Sequence, residues 1–393
     1  MLIVLLVFSG RFKLPLLGAV IPPLIYMGVI FLFLLGLIVI ANKDRVLPKD
    51  SLTYITLNFV LFLYMVANSF NNTDLIYNIK VLELILYVFP MVVLIFLLLK
   101  REKDNEQLVL MIFILTFLFG LMGLLTGSPE ETRLSVLGGG SNVYGRFMLF
   151  GYIVSLYYLI KSKALYKNAL VLGILFIFVI LIIQTGSRQA FIGVFLSSFI
   201  YLIFYTVQFI RIRKVKVKNV ILIGLSTLII KYYYDAYIIK SSLWNRLLLL
   251  FESDKGDSVN VRMTMIEKAQ EMFYENPIFG QGTGAFADKM SLTYAYPHNI
   301  VYEILAEFGI LGILLFFAII LYILVCAFKS YRLGKIKTKS NNLILLYFNL
   351  FITSFYFTLV SGNLYDSRWL WFYGTLIVNY LIILRRENVN EIE

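Results

Sequence analysis

The sequence predicts an all-α, polytopic integral membrane protein with eleven or twelve transmembrane helices. Apolar runs of about 20 residues, the length that crosses a bilayer core, recur through a 393-residue chain whose mean hydropathy is +0.84 and whose hydrophobic content is 60%. Basic residues then gather in every second segment between those runs. The segments around 43–49, 100–103, 161–167, 211–218, 329–339 and 385–386 hold 21 of the 35 Lys and Arg, and with the tail only 8 of the 23 acids. These segments carry +13 and the rest of the chain −1, so the whole net charge of +12 is a topology signal placing them in the cytoplasm. A nucleic-acid partner loses its only support.

Taken in order, the expected spans are 2–20 (interrupted by Arg11 and Lys13), 22–42, 52–70, 77–99, 107–125, 143–160, 168–184, 189–209, 219–234, 309–328, 341–361 and 368–384. The count is eleven if the first does not cross, and either count leaves the C-terminus inside. The initial run MLIVLLVF has neither the basic flank nor the small-residue cleavage site of a signal peptide, and is expected to be retained. No internal repeat is visible, and the chain reads as one integral domain, 1–393.

Two outer segments are longer than turns. Residues 126–142, TGSPEETRLSVLGGGSN, are polar with three consecutive glycines; residues 235–297 form a large extracytoplasmic loop. Loops of that length with their own helical pattern are usually functional. Within it, 260–276 sets Ile266, Ala269, Met272 and Phe273 against Glu267, Lys268, Gln270, Glu271 and Glu275, an amphipathic helix stopped by Pro277 and suited to a membrane surface. A glycine-rich turn follows, with Gly280, Gly282 and Gly284. From His298 onward Asn299, Glu303 and Glu307 fall four apart on a helix that would run about 46 Å to residue 328, longer than the roughly 30 Å hydrocarbon core. Gly309 and Gly312 are the expected break.

The chain has one Cys, Cys326, and one His, His298, which excludes an intramolecular disulfide and makes a Cys- or His-rich metal centre improbable. Cys326 lies in an expected span, where packing is its simplest role. His298, in PHN, reads either as a helix-start residue or as a general base or aligner of a hydroxyl, since a neutral imidazole accepts a proton near neutral pH. Arg188, in QTGSRQ at an outer turn, reads either as an interfacial anchor or as an anion ligand. Arg262 and Arg133 also lie in outer segments, and three guanidinium groups facing one cavity would suit the bidentate binding of a diphosphate. Gly282, Tyr296 and Asn299 are secondary candidates for substrate contact, the glycine through backbone N–H groups. The acidic run Glu252, Asp254 and Asp257 reads best as solvated loop. Lys80, Glu83, Arg146 and Lys231, near the outer ends of spans, are accounted for by intramolecular pairing.

Together, TGSR with Arg188, Arg262 near the amphipathic helix, NPIFGQGTGAF, and PHN running into EFGILG resemble the O-antigen ligase and O-antigen polymerase family of bacterial membrane glycosyltransferases. The likeness is strongest from about 180 to 330. It implies an all-helical, C-type glycosyltransferase in the bacterial inner membrane, multi-pass, with its site on the extracytoplasmic side. It also implies a glycan donor on undecaprenyl diphosphate, a glycan or lipid acceptor, and, as a candidate protein partner, a chain-length regulator. By that likeness Arg188 and Arg262 bind the diphosphate and His298 serves the acceptor hydroxyl, with neither metal nor other cofactor. A polymerase of lipid-linked repeats for O-antigen, capsule or exopolysaccharide is the leading reading, and a ligase to lipid A-core the second. A secondary transporter or lipid flippase is the alternative from another class, since polytopic folds host many functions.

Overall fold

In the computed structural model every regular element among the described residues is a helix; these residues are 36, 47–70, 75–126, 133–136, 140–162, 164–212, 244, 248, 257–290, 296–334 and 341–389. In chain order the helices are α1 (Lys49–Ser69), α2 (Leu75–Leu98), α3 (Glu102–Thr126), α4 (Ser141–Lys161), α5 (Leu165–Gln184), α6 (Arg188–Ile212), α7 (Asp257–Glu275), α8 (Ala285–Lys289), α9 (Ile300–Gly334), α10 (Asn341–Ser361) and α11 (Arg368–Val389). The protein is an all-α, multi-pass membrane protein. Six of the helices are long and apolar enough to cross a bilayer: Ser51–Ser69, Glu102–Leu125, Ser141–Lys161, Leu165–Gln184, Ile300–Gly334 and Asn342–Ser361. Shorter apolar stretches lie at Leu84–Leu98 and Arg188–Phe204. The expected spans 2–20 and 219–234 lie outside the described residues, as does 22–42 apart from residue 36.

Exposed apolar side chains fall where lipid would cover them. On α9, Leu314, Phe317, Leu321, Val325 and Phe328 form a stripe at spacings of three and four, all exposed, while Phe316, Ile319, Ile320 and Ile323 are buried on the other side. On α6, Phe195, Phe199 and Leu202 are exposed in the same way.

The described chain forms two compact units, with boundaries within α3 and in the first turn of α7. The first takes in α1, α2, the start of α3 and α7 to α11. At its centre is α11, less apolar than the spans named above but buried along nearly its whole length, and in contact with α2, α9, α10 and α1. Gly374 lets α9 approach closely, since a Cβ there would stand 2.7 Å from Ile323 Cδ1. Polar side chains tie the bundle at one end: Asn379 Nδ2 donates to Leu99 O at 2.9 Å, and Tyr347 OH to Asn105 Oδ1 at 2.9 Å. Cys326 is a buried free thiol.

The second unit holds the rest of α3 with α4, α5 and α6. Here α4 is the buried helix, and small residues set its contacts, as is common where helices pack within lipid. A Cβ on Gly151 would meet the Phe178 ring at 2.5 Å, and one on Gly145 would meet Ala190 Cβ, Thr185 Oγ1 and Ser187 Cβ at 3.0–3.2 Å. The second of these contacts seats α4 against the turn that opens α6.

Candidate functional site

The break in α9 is the first device of the site. Gly309 has φ 62° and ψ −160° inside an otherwise continuous helix, and Gly280, with φ 75°, lies against the break. A Cβ on Gly280 would stand 2.3 Å from Glu307 C, and one on Gly309 would stand 2.4 Å from Ile278 O, so only glycine fits either place. Breaking a helix strands backbone donors and acceptors, which are costly inside a membrane. The 277–282 segment supplies them. Ile310 N donates to Pro277 O at 2.8 Å and Leu311 N to Ile278 O at 3.3 Å, while Gln281 N reaches Ala306 O at 2.9 Å and Gly282 N reaches Glu307 O at 3.0 Å. From α1, Tyr64 OH donates to Phe308 O at 2.8 Å, and Asn68 Nδ2 to Phe279 O and Glu307 O at 2.9 and 3.0 Å. The motifs NPIFGQG and EFGILG are therefore two halves of one interlock. The N–H of Gly282 is engaged by Glu307 O and that of Gly280 by Asn276 O, at 3.0 Å each.

The second device is the entry to α9. Asn299 caps the helix: its Oδ1 accepts from Val301 N at 3.0 Å and Tyr302 N at 3.4 Å. His298 stands just before the cap. Its φ is 57°, the only positive value of a non-glycine among the described residues. Such a conformation costs about 1–2 kcal/mol and is a feature of functional sites. The imidazole is half-buried and packs edge-on against Tyr296, ring centroids 4.4 Å apart.

One and two turns further on, Glu303 and Glu307 are each 1% exposed. Glu303 accepts from Leu364 N at 2.7 Å and Glu307 from Tyr365 OH at 2.8 Å, pinning the α10–α11 turn to the entry of α9. Asn363 and Asp366 brace that turn, with Asp366 N donating to Asn363 Oδ1 at 2.7 Å. Arg368 opens α11 at 4% exposure, its guanidinium 5.7 Å from the Tyr87 ring centroid. Glu303 and Glu307 were legible only as polar positions four apart, and Arg368 gave no signal beyond a charge at a helix start.

Arg262 lies in the second turn of α7, half-buried, beside the stripe Val261, Met265, Ala269 and Met272 that packs on Ala285, Phe286 and Ala306. The buried stripe thus runs through Met265 rather than Ile266 and Phe273. At the far end of α7, Lys289 donates to the Glu275 carboxylate, as does Gln281 Nε2 at 3.0 Å. The lysine, first, holds this exposed carboxyl below the ordinary glutamate range.

Arg188 and Arg133 belong to the other unit. Arg188 is the first residue of α6, half-buried, after a turn in which Gly186 has φ 60°. Arg133 Nε donates to Thr185 O at 3.0 Å and its Nη2 to Asn142 Oδ1 at 3.1 Å, fastening the polar segment before α4 to the same turn. Arg146 is there too, 9% exposed, its Nη2 donating to Gln189 Oε1 at 3.1 Å. Among the described residues no three His, Cys, Asp or Glu side chains form a metal-binding group. Glu252, Asp254 and Lys231 lie outside the described residues, as do the side chains of Asp257, Lys80 and Glu83.

Residues 172–317 match the family model described as O-antigen ligase. Over that stretch, a little over a third of its length, the chain is similar to the O-antigen ligase family, which supports the resemblance to the O-antigen ligase and polymerase family. The match runs from α5 to the middle of α9, so it takes in Arg188, Arg262, the interlocked glycines and His298, and leaves Arg133 and Arg146 outside. The match supports a function of the O-antigen ligase or polymerase type. No curated protein matches the chain.

Proposed function

We propose that this protein is a polysaccharide polymerase of the bacterial inner membrane, joining glycan repeats carried on undecaprenyl diphosphate at the extracytoplasmic face. One observation carries the reading. The residues with chemistry to offer, Arg188, Arg262 and His298, all lie within the O-antigen ligase domain, and His298 is held in a left-handed backbone conformation just before the cap of α9.

In the proposed step an acceptor hydroxyl oxygen attacks the anomeric carbon of the donor sugar. The bond from that carbon to the diphosphate oxygen breaks, and its electron pair leaves with the lipid diphosphate. Arg188 and Arg262, with Arg133 in support, stabilise the charge growing on the leaving group, which takes the part a divalent cation would otherwise play. His298 accepts the hydroxyl proton and returns it to water. A single displacement inverts the anomeric carbon. Tyr296 orients the imidazole and Asn299 fixes the backbone beneath it.

A ligase that moves a finished glycan to lipid A-core or another acceptor is the second reading, favoured by the description of the matching family model. Purified protein given lipid-linked repeats separates the two: a ladder of lengthening products is expected for the polymerase, and one transfer to lipid A-core for the ligase. Neither product, with translocation of the lipid-linked glycan instead, would overturn both in favour of a flippase.

A further inference from the structure

The turn that opens α6 holds more anion-binding groups than the family match accounts for. Arg146, Ser187 and Gln189 have no role in the reading above. Ser187 is fully buried and Gln189 is 5% exposed. Among the described residues neither Ser187 Oγ nor Gln189 Nε2 finds a hydrogen-bond partner. Leaving such groups unmet is costly, and a ligand that completes the set accounts for their being kept. Both flank the first residue of a 25-residue helix, whose N-terminal N–H groups and dipole favour an anion.

Arg146 comes from α4, one residue past Gly145, whose missing side chain allows the approach to Thr185, Ser187 and Ala190. The Gln189 amide turns its oxygen to the Arg146 guanidinium, which orients the arginine and leaves the amide's N–H donors available. The set therefore comprises a guanidinium, a hydroxyl, a carboxamide donor and a helix start. All are donors.

We propose that Arg146, Ser187 and Gln189 form an inner phosphate subsite at the start of α6, which takes one phosphate group of a diphosphate while Arg188 takes the other. The proposal rests on the reading of the substrate as a polyprenyl diphosphate and extends it: the subsite makes the protein select a diphosphate over a monophosphate.

The test uses the full chain in lipid nanodiscs with three probes: undecaprenyl diphosphate, undecaprenyl phosphate and inorganic diphosphate. Ser187→Ala is the informative variant, because Oγ holds nothing in the fold and its loss should leave the melting temperature unchanged. Arg146→Lys keeps the charge and loses the planar fork. Each is expected to weaken undecaprenyl diphosphate binding roughly tenfold, the scale of one charge-assisted hydrogen bond, while undecaprenyl phosphate binding changes little. If both variants bind the diphosphate lipid like wild type while Arg188→Ala loses it, the subsite is refuted and the glycosyl-transfer reading stands. If wild type prefers neither diphosphate, both fall. Binding of inorganic diphosphate without the lipid would overturn the assignment to a lipid headgroup.

Discussion

Replacing Gly280 with alanine tests the interlock that holds the α9 break. The residue has φ 75°, and the added Cβ would lie 2.3 Å from Glu307 C and 2.4 Å from both Glu307 O and Phe308 N. These are backbone atoms, so no side-chain rotation relieves the clash. The left-handed conformation costs an alanine about 1–2 kcal/mol, and overpacking a closed contact adds about 1–3 kcal/mol. A destabilisation of about 2–5 kcal/mol follows, before any loss of the hydrogen bonds from Gln281 and Gly282 to α9. In a thermal melt of the detergent-solubilised protein, followed by size-exclusion chromatography, the midpoint should fall by roughly 2–6 °C. Gly309→Ala should behave alike, because its Cβ would strike Ile278 O at 2.4 Å. The double variant should cost less than the sum, since both changes break one structure. Gly173→Ala is the control: nothing lies within 4 Å of the new Cβ on helix α5, so stability should hold or rise by about 0.5–1 kcal/mol. A Gly280→Ala melt within a degree of wild type would refute the interlock.

Three other outcomes follow from the site. His298→Gly should remove about 1–2 kcal/mol of backbone strain, so the variant melts no lower than wild type while glycan transfer is lost; a lower melt with transfer intact would reverse the roles assigned to this residue. Tyr365→Phe deletes the donor to the buried Glu307 carboxylate and should cost about 1.5–3 kcal/mol in the same melt, against no change if the contact is idle. The Glu275 carboxyl titrates below its ordinary range because Lys289, first, donates to it. Its folded pKa lies under the unfolded one, so its contribution to stability is present above the unfolded value and is lost as pH falls through the folded one. Wild type should therefore out-melt Glu275→Gln at neutral pH by a small margin that closes in acid below the usual glutamate range, whereas a margin independent of pH would exclude the ion pair as its source.

Much of the architecture can be read from hydropathy because a bilayer demands long apolar runs: 107–125 lies within Glu102–Thr126, and 341–361 matches Asn341–Ser361. The break at Gly309 was legible for a geometric reason, since a helix from 298 onward is too long for the membrane and carries two glycines near its middle. What the break binds was not. Its partners at 277–282 are joined to it by backbone hydrogen bonds, and backbone groups carry no sequence signature. Helix periodicity placed Glu303 and Glu307 on one face, but not against the α10–α11 turn about sixty residues away. Arg146 passed for an ordinary span-end charge because Gln189, which orients it, is 43 positions distant. Arg262 was expected at the start of its helix; α7 begins at Asp257, so it sits a turn deeper.

The central claim is that one imidazole and the outer arginines move a sugar off a lipid diphosphate. Its most direct test measures, on purified protein with chelator present, the undecaprenyl diphosphate released per glycosidic bond formed. The account predicts one released for each bond in wild type, and loss of both in His298→Ala and Arg188→Ala variants that remain folded. Bond formation at the wild-type rate in either variant, or release of lipid diphosphate uncoupled from any new bond, would contradict it.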